Sequence, residues 1–174
     1  MTNKNSKPKL GRLIDLPRYQ RDLYPRDDAL AKIHGEHIEQ LSTDELIRKI
    51  DQFSTGLLSL ELTKGDKVSI ISENRPEWNI VDHGLQQLGL INVPIYPKVG
   101  REQFEYIFED ADIRTVFVSN EELYQTAKEA AESVDSVKSI YCFEEVKGAD
   151  HWTDLLVDTD DTALEKIEKI RAEI

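Results

Sequence analysis

The sequence GDKVSIISENRPEWNIVDHGLQQLGLINVPIYP, residues 65–97, decides the fold because it places a strand, a helix and a second strand in direct succession. Residues 67–72 have the length and β-branched content of a sheet strand. A helix starts at residues 74–76, since proline is tolerated in a first turn, where its missing N–H would have no intrahelical partner. The helix ends at Gly89, and residues 91–95 form the next strand. We expect the inward face of this helix to consist of Trp78, Val81, Leu85 and Leu88.

Strands and helices continue to alternate after residue 97. The apolar spacing predicts helices over residues 101–111 and 121–133, and strands over residues 115–118 and 139–143. Helices of this length between strands are typical of βαβ units, whose crossovers are right-handed and whose sheet is mainly parallel. We therefore predict an α/β fold, namely a three-layer α/β/α sandwich with a mainly parallel sheet.

Different patterns flank this core. Residues 29–41 alternate apolar and polar side chains around Gly35, which predicts an N-terminal β-hairpin that turns at this glycine. Residues 42–45, Ser-Thr-Asp-Glu, fit a capping box, and apolar residues follow at helical spacing to about residue 60. Towards the end of the chain, residues 148–160 are acidic and are expected to be irregular. Residues 162–174 are predicted to form a last helix.

The charged residues are unevenly distributed along the chain. The 174 residues carry a formal charge of −12, yet residues 1–26 hold seven Lys and Arg against two Asp and Glu. The remaining residues have 15 basic against 32 acidic side chains, which is a charge of −17. Such an acidic surface repels phosphate backbones over roughly a Debye length, so we expect no nucleic-acid partner.

Residues 1–22 are rich in Asn, Lys, Ser and Pro, which predicts a flexible polar leader before an ordered domain, residues 23–174, that begins near Tyr24. A solvated tail is the favoured interpretation of the leader, and peripheral contact with an anionic membrane is the alternative. The sequence has no run of about 18 apolar residues and no secretory signal, so we expect a cytoplasmic location. The single cysteine, Cys142, is expected to be a buried strand residue in a reducing compartment.

The residues themselves do not identify an active site. No G-x-G-x-x-G follows a strand, no G-x-x-x-x-G-K-[ST] occurs, and the eight glycines are isolated. His34 and His37 are three residues apart, but a hairpin turn separates them and no further ligand is evident, so we predict no metal site. His83 is interpreted as a polar-face residue of a helix. No nucleophile lies in a recognisable elbow, and we therefore predict no catalytic residue.

Three segments resemble core motifs of the adenylate-forming, AMP-binding superfamily, in matching order and spacing. Residues 41–46, LSTDEL, resemble the first core motif, with Thr43 where tyrosine commonly stands. Residues 72–78, SENRPEW, resemble the corresponding segment of long-chain fatty-acid–CoA ligases, which are AMP-forming acyl-CoA synthetases. Residues 88–97, LGLINVPIYP, resemble the second core motif. The resemblance covers roughly residues 24–174.

This resemblance implies that the chain is the N-terminal part of such a ligase and stops before the Thr/Ser/Gly-rich loop that cradles the ATP phosphates. The full-length enzyme is expected to join a fatty acid to AMP and then pass the acyl group to CoA, using ATP, Mg and CoA. The 174 residues alone are expected to be inactive and to need no cofactor. They are also expected to self-associate, because the family's later strands are missing. A stand-alone, non-catalytic α/β binding or interaction module is the alternative.

The loop after residue 95 is the candidate binding site. Tyr96, Pro97, Lys98 and Gly100 lie at the carboxyl end of a predicted parallel strand, where α/β sheets place their ligands. In CoA-ligating relatives the equivalent loop lies near the CoA nucleotide. The resemblance therefore implies a CoA-side loop in which Lys98 is the charged contact. The alternative is a scaffold role, in which the prolines only shape the strand exit.

Overall fold

A computed structural model of the chain describes residues 10–35 and 37–174. The chain forms two compact units, Met1–Arg48 and Lys49–Ile174. The division between them falls inside a long helix, α2, which spans Thr43–Leu57. None of the helices in the described ranges combines the length and the apolar character that a crossing of a bilayer requires.

A helix in the first unit corrects the expectation that order begins near Tyr24, after a flexible polar leader at residues 1–22. A 3₁₀ turn at Leu13–Asp15 leads into α1, Leu16–Leu23. Pro17 is buried in the first turn of α1, where a proline removes no intrahelical hydrogen bond. The prediction for residues 1–9 lies outside the described residues.

The predicted hairpin is confirmed in the same unit. Strands β1 (Leu30–His34) and β2 (His37–Leu41) pair in antiparallel register. Gly35 has a φ of +60°, a left-handed conformation that glycine adopts without a steric penalty. Ile33 and Ile38 lie directly opposite each other, and they are 72% and 60% exposed. The hairpin therefore presents an apolar pair to solvent.

Helix α2 begins with the predicted capping box. The Ser42 N–H donates to Glu45 Oε2 at 2.8 Å, and the Glu45 N–H donates to Ser42 Oγ at 3.2 Å. Two N–H groups that have no partner within the helix are satisfied in this way. In the second unit, the buried apolar residues of α2 recur at helical spacing, and they are Ile50, Phe53 and Leu57.

One five-stranded parallel sheet organises the second unit. Its strands are β3 (Lys67–Ile71), β4 (Ile91–Ile95), β5 (Ile113–Val118), β6 (Ser139–Cys142) and β7 (Asp150–His151). The spatial order is β4-β3-β5-β6-β7, and all neighbours are parallel. The helices of this unit are α3 (Pro76–Gln87), α4 (Arg101–Asp110), α5 (Glu121–Ala131) and α6 (Asp161–Ala172). The predicted α/β class is thus confirmed.

Side chains that alternate along β5 serve two cores. Val116 and Val118 belong to a core with α4 and α5, whose largest members are Phe104, Phe108 and Tyr124. Phe117 lies between these valines, so its side chain is on the opposite side of the sheet. There its ring lies 5.5 Å from the ring of Phe53, centroid to centroid. Helices therefore pack on both sides, which gives the three layers that the sequence predicts.

The inward face of α3 differs from the predicted one at its first position. Ile80, Val81 and Leu85 are at most 1% exposed, whereas Trp78 is only half-buried. Trp78 belongs to the first turn of α3, which begins at the carboxyl edge of the sheet. The sheet and its covering helices therefore enclose only part of this side chain, and the prediction of a core tryptophan is met only in part.

The prediction of irregular structure after residue 148 is also wrong in part. A 3₁₀ helix at Trp152–Leu155 follows β7, and Trp152 is 5% exposed. The Trp152 ring lies 6.4 Å from Phe53 and 5.8 Å from Phe143, centroid to centroid. These contacts join segments that are far apart in sequence. The acidic composition of residues 148–160 does not indicate them.

Glycine at position 56 allows this 3₁₀ helix to approach α2. A Cβ atom added at Gly56 would collide with the backbone carbonyl of Leu155, which is itself only 4% exposed. Backbone atoms cannot move aside as a flexible side chain can. The close packing of α2 against residues 152–155 therefore depends on the absence of a side chain at residue 56.

We expect Gly56→Ala to lower the free energy of unfolding by about 1–3 kcal/mol through overpacking. Helix propensity alone predicts the opposite sign, because alanine is favoured over glycine in a helix by about 1 kcal/mol. Urea unfolding of both proteins decides between the two. Gly11→Ala is the control, since nothing lies within 4 Å of a Cβ atom there. A Gly56→Ala protein that is as stable as the wild type would contradict the close approach.

Candidate functional site

The strand order creates a crevice at the carboxyl edge of the sheet. From β3 the chain crosses to β4 on one side, and it then returns past β3 to β5 on the other side. In open α/β sheets, ligands bind where the chain reverses in this way, outside the carboxyl ends of the two diverging strands. Here that crevice lies between residues 72–75, after β3, and residues 119–120, after β5.

Arg75 spans this crevice. Its Nε and Nη2 donate to the two carboxylate oxygens of Glu77 at 2.9 and 3.0 Å. Its Nη1 donates to the carbonyl oxygen of Ser119 at 3.1 Å, and its guanidinium carbon lies 5.1 Å from the centroid of the Phe143 ring. The side chain is 10% exposed. One guanidinium therefore joins the segments that follow β3, β5 and β6.

Ser119 makes a second connection across the crevice. Its N–H donates to the carbonyl of Ile71 at 3.1 Å, and its hydroxyl donates to Glu73 Oε2 at 2.9 Å. A serine hydroxyl beside a carboxylate could suggest a nucleophile with its base. Ser119 is only 2% exposed, however, so a substrate could not reach its oxygen in this arrangement. The pair holds the two loops together.

The electrostatics of this edge also favour a structural role. Burial alone would lower the pKa of Arg75, but the hydrogen bonds and charge of Glu77, together with the charge of Glu144, leave that pKa raised. Cys142, at the end of β6, is fully buried, and burial raises the pKa of its thiol. A buried thiol with a raised pKa is a poor nucleophile at neutral pH. The expectation of a buried strand cysteine is confirmed.

The loop predicted to bind CoA lies outside the crevice. Tyr96, Pro97, Lys98 and Gly100 follow β4, which is one of the two edge strands of the sheet. Tyr96 is 63% exposed, Lys98 and Gly100 are exposed, and Pro97 is partly buried. The four residues thus occupy one loop that solvent can reach. The crevice of the sheet, by contrast, is closed by other residues.

The start of α4 fixes the end of this loop. The Gly100 N–H donates to Gln103 Oε1 at 3.1 Å, and the Gly100 carbonyl accepts the Phe104 N–H at 3.2 Å. Phe104 is fully buried, so the first turn of α4 is anchored in the core. Lys98, two residues before Gly100, is therefore attached to a rigid element although its own side chain is exposed.

Charges of both signs surround the first turn of α4. A shallow depression there is lined by Gly100, Arg101, Glu102, Gln103 and Glu105. The free N–H groups and the dipole at a helix N-terminus favour an anion, as do Lys98 and Arg101. Glu102 and Glu105 oppose an anion. The loop can therefore contact a phosphate group, but it does not form an enclosed binding cavity.

The histidines are placed as follows. His83 is half-buried rather than on a polar face, which corrects the sequence interpretation. Burial lowers the pKa of His83, although the charge of Asp82 opposes this effect. His34 and His37 are not expected to bind a metal ion, and the His34 side chain lies outside the described residues. Within residues 10–35 and 37–174, no group of three or more His, Cys, Asp or Glu side chains could hold a metal ion.

The crevice residues were missed by sequence reasoning. The sequence analysis used Arg75 only as a helix start and did not single out Glu73, Ser119 or Glu144. All four lie within four residues of the end of a strand, and this position is a signal that the sequence does contain. Their mutual contacts depend on the strand order, which places β5 next to β3 and β6 next to β5.

Comparisons with known proteins agree with this fold. A sequence model described as AMP-binding enzyme matches residues 18–171. The long-chain-fatty-acid–CoA ligase FadD15 of Mycobacterium bovis is 29% identical over 121 residues, which cover 67% of this chain and 20% of that protein. Fatty acyl-CoA synthetase B of Dictyostelium discoideum is 32% identical over 108 residues, which cover 62% of this chain and 16% of that protein. The chain thus spans about a fifth or less of these relatives.

A solved structure shows the same fold. The anthranilate CoA ligase AuaEII, in complex with anthranoyl-AMP, superposes on the chain with a TM-score of 0.68 at 20% sequence identity. The match covers 82% of this chain and 26% of that one. At this identity the likeness concerns the fold.

We expect Arg75→Ala to lower the free energy of unfolding by about 3 kcal/mol, because it removes the two hydrogen bonds and the opposite charge that Arg75 gives to the poorly exposed carboxylate of Glu77. Chemical denaturation provides the measurement. Arg26→Ala is the matched control, because the Arg26–Asp28 pair is exposed, with side chains 63% and 46% accessible, and it should cost less than about 1 kcal/mol. Equal effects of the two substitutions would contradict the role of Arg75 in closing the crevice.

Proposed function

Because the chain belongs to the AMP-binding enzyme family, we propose that it is the N-terminal part of an ATP-dependent long-chain fatty-acid–CoA ligase. The observation that carries the proposal is the family match over residues 18–171. The relatives from Mycobacterium bovis and Dictyostelium discoideum support the choice of a fatty acid as substrate. The complete enzyme forms an acyl-AMP with release of pyrophosphate, and it then transfers the acyl group to CoA.

Within such an enzyme, the 174 residues supply a scaffold and the CoA-side loop. The sequence contains no Gly-rich phosphate loop, and its eight glycines are isolated. In the described ranges, no cluster of acidic, His or Cys side chains fits Mg²⁺. We therefore infer that adenylation depends on ATP- and Mg²⁺-binding groups outside these residues. The alternative is a stand-alone interaction module. The two proposals are distinguished by whether the reading frame of the gene continues past residue 174 into a phosphate-loop motif.

We expect a protein of these 174 residues to bind ATP·Mg²⁺ no more tightly than a Kd of about 100 μM, because its sequence contains no Gly-rich loop whose N–H groups would hold a triphosphate. Isothermal titration calorimetry measures the affinity, and exchange of labelled pyrophosphate into ATP measures adenylation. The control is the protein extended along its natural reading frame, in which exchange should depend on a fatty acid. Saturable binding of ATP·Mg²⁺ to the 174 residues alone would contradict the proposal. A natural reading frame that does not continue beyond these residues would favour the stand-alone module.

Lys98 is proposed as the contact for a CoA phosphate. In the extended enzyme, we expect Lys98→Ala to raise the KM for CoA about threefold to tenfold, the size of one exposed charge contact. Fatty-acid-dependent pyrophosphate exchange, which does not use CoA, should stay unchanged. Lys166→Ala removes another exposed lysine, on α6, and serves as the control. An unchanged KM for CoA would remove Lys98 from the CoA site but would leave the ligase assignment intact.

A further inference from the structure

The two edges of the parallel sheet are positions at which a strand of another molecule could add. β4 forms one edge and β7 forms the other, and within residues 10–35 and 37–174 no strand pairs with their outer sides. An open edge presents unpaired N–H and C=O groups, which are a template for pairing between copies of a chain. We propose that Pro94 closes the β4 edge and so keeps the sheet from pairing with a second copy of this chain.

The strand register determines which backbone groups of β4 face outwards. The Ile91 N–H donates to the carbonyl of Asp66, just before β3, at 2.9 Å. Residues that bond to one neighbour alternate along a parallel strand, so every second residue from Ile91 bonds to β3 and residues 92 and 94 face away from it. The Ser69 hydroxyl donates to the Val93 carbonyl at 2.9 Å, which agrees with this assignment because Val93 faces β3.

Proline at position 94 removes a donor from the outward side of β4. Because proline has no N–H, the outward groups are the N–H and C=O of Asn92 and the C=O of Pro94 alone. A strand that added to this edge would find no donor at residue 94 for one of its carbonyl groups. Pro94 is exposed, so packing in the core does not require a proline at this position.

The residues around Pro94 have the composition of an association-prone segment. Residues 90–96, LINVPIY, contain no charged side chain, and five of the seven are leucine, isoleucine, valine or tyrosine. Ile91 is 47% exposed and Tyr96 is 63% exposed. Short segments with high β-propensity, low charge and no proline pair readily between molecules. Pro94 therefore interrupts a segment that is otherwise suited to such pairing.

The opposite edge is protected by different means. β7 has only two residues, and Asp150 is exposed there. A very short edge strand with a charged side chain is a poor template for a further strand. The chain then enters the 3₁₀ helix at Trp152–Leu155, which is anchored in the core. With both edges closed, the self-association expected from the sequence would have to use exposed apolar side chains instead of strand pairing.

Hydrogen exchange of the wild-type chain, followed by NMR, tests the state of the edge directly. The Asn92 amide faces away from β3, whereas the Val93 amide is bonded to it. We therefore expect the Asn92 amide to exchange at least about tenfold faster, at low and at high protein concentration alike. Equal protection of the two amides would mean that another strand already covers this edge, and it would overturn the proposal.

Substitution of Pro94 restores the missing donor. We expect Pro94→Val to self-associate with a Kd at least about tenfold lower than that of the wild type, measured by size exclusion with light scattering at about 150 mM salt. Pro97→Val is the matched control, because it makes the same side-chain change in the loop after the strand. Pro94→Asp is a second control, because it restores the N–H but adds a charge that opposes the approach of another edge.

Circular dichroism and urea unfolding verify that each variant is folded. New protection of amides 92 and 94 in the associated Pro94→Val protein would place the contact at β4 and support the proposal. Unchanged self-association of Pro94→Val would overturn it, as would equal association of Pro97→Val or Pro94→Asp. New protection outside β4 would also overturn it, because the association would then use another surface. If Pro94→Val does not fold, the exchange measurement on the wild type still decides.

Discussion

The packing around Phe117 holds the second unit together. This residue is fully buried in β5, and its ring lies 5.5 Å from Phe53, 5.3 Å from Tyr141 and 6.2 Å from Phe143, centroid to centroid. Phe53 and Phe143 both reach Trp152, so the 3₁₀ helix is held by the same cluster. Because such a sheet is buried on both faces, its polar residues can face a ligand only at the strand ends or in the loops. This constraint determines where a site can lie.

At the carboxyl edge, most of the polar groups are already used. Arg75 satisfies Glu77 and the Ser119 carbonyl, and the Ser119 hydroxyl is committed to Glu73. The contacts of Arg75 and Ser119 could suggest a catalytic site, but they hold together the segments that follow β3, β5 and β6. The exposed loop at Lys98 follows β4 and lies outside this crevice.

Local rules predicted most elements of this fold correctly. The capping box at Ser42, the turn at Gly35 and the strand–helix alternation depend on neighbours in sequence, and all are found. The errors share a different cause. Half-burial of Trp78, burial of Trp152 and the bridging role of Arg75 depend on which strands are adjacent, and the order β4-β3-β5-β6-β7 cannot be derived from periodicity. The candidate site was predicted only as a loop at a strand end.

The acidic body imposes a condition on any binding of polyanionic substrates. A surface with 15 basic against 32 acidic residues raises the free energy of approach for CoA or ATP at long range. Affinity must therefore come from short-range contacts that act within a few ångströms, such as a lysine side chain or the N–H groups of a helix start. Lys98 and the first turn of α4 provide both, beside the competing carboxylates of Glu102 and Glu105. Added salt screens the long-range repulsion as well as the local attraction, so the two terms partly cancel. The proposed CoA contact therefore depends on short-range attraction for one phosphate group, while the surrounding acidic surface disfavours adventitious anions.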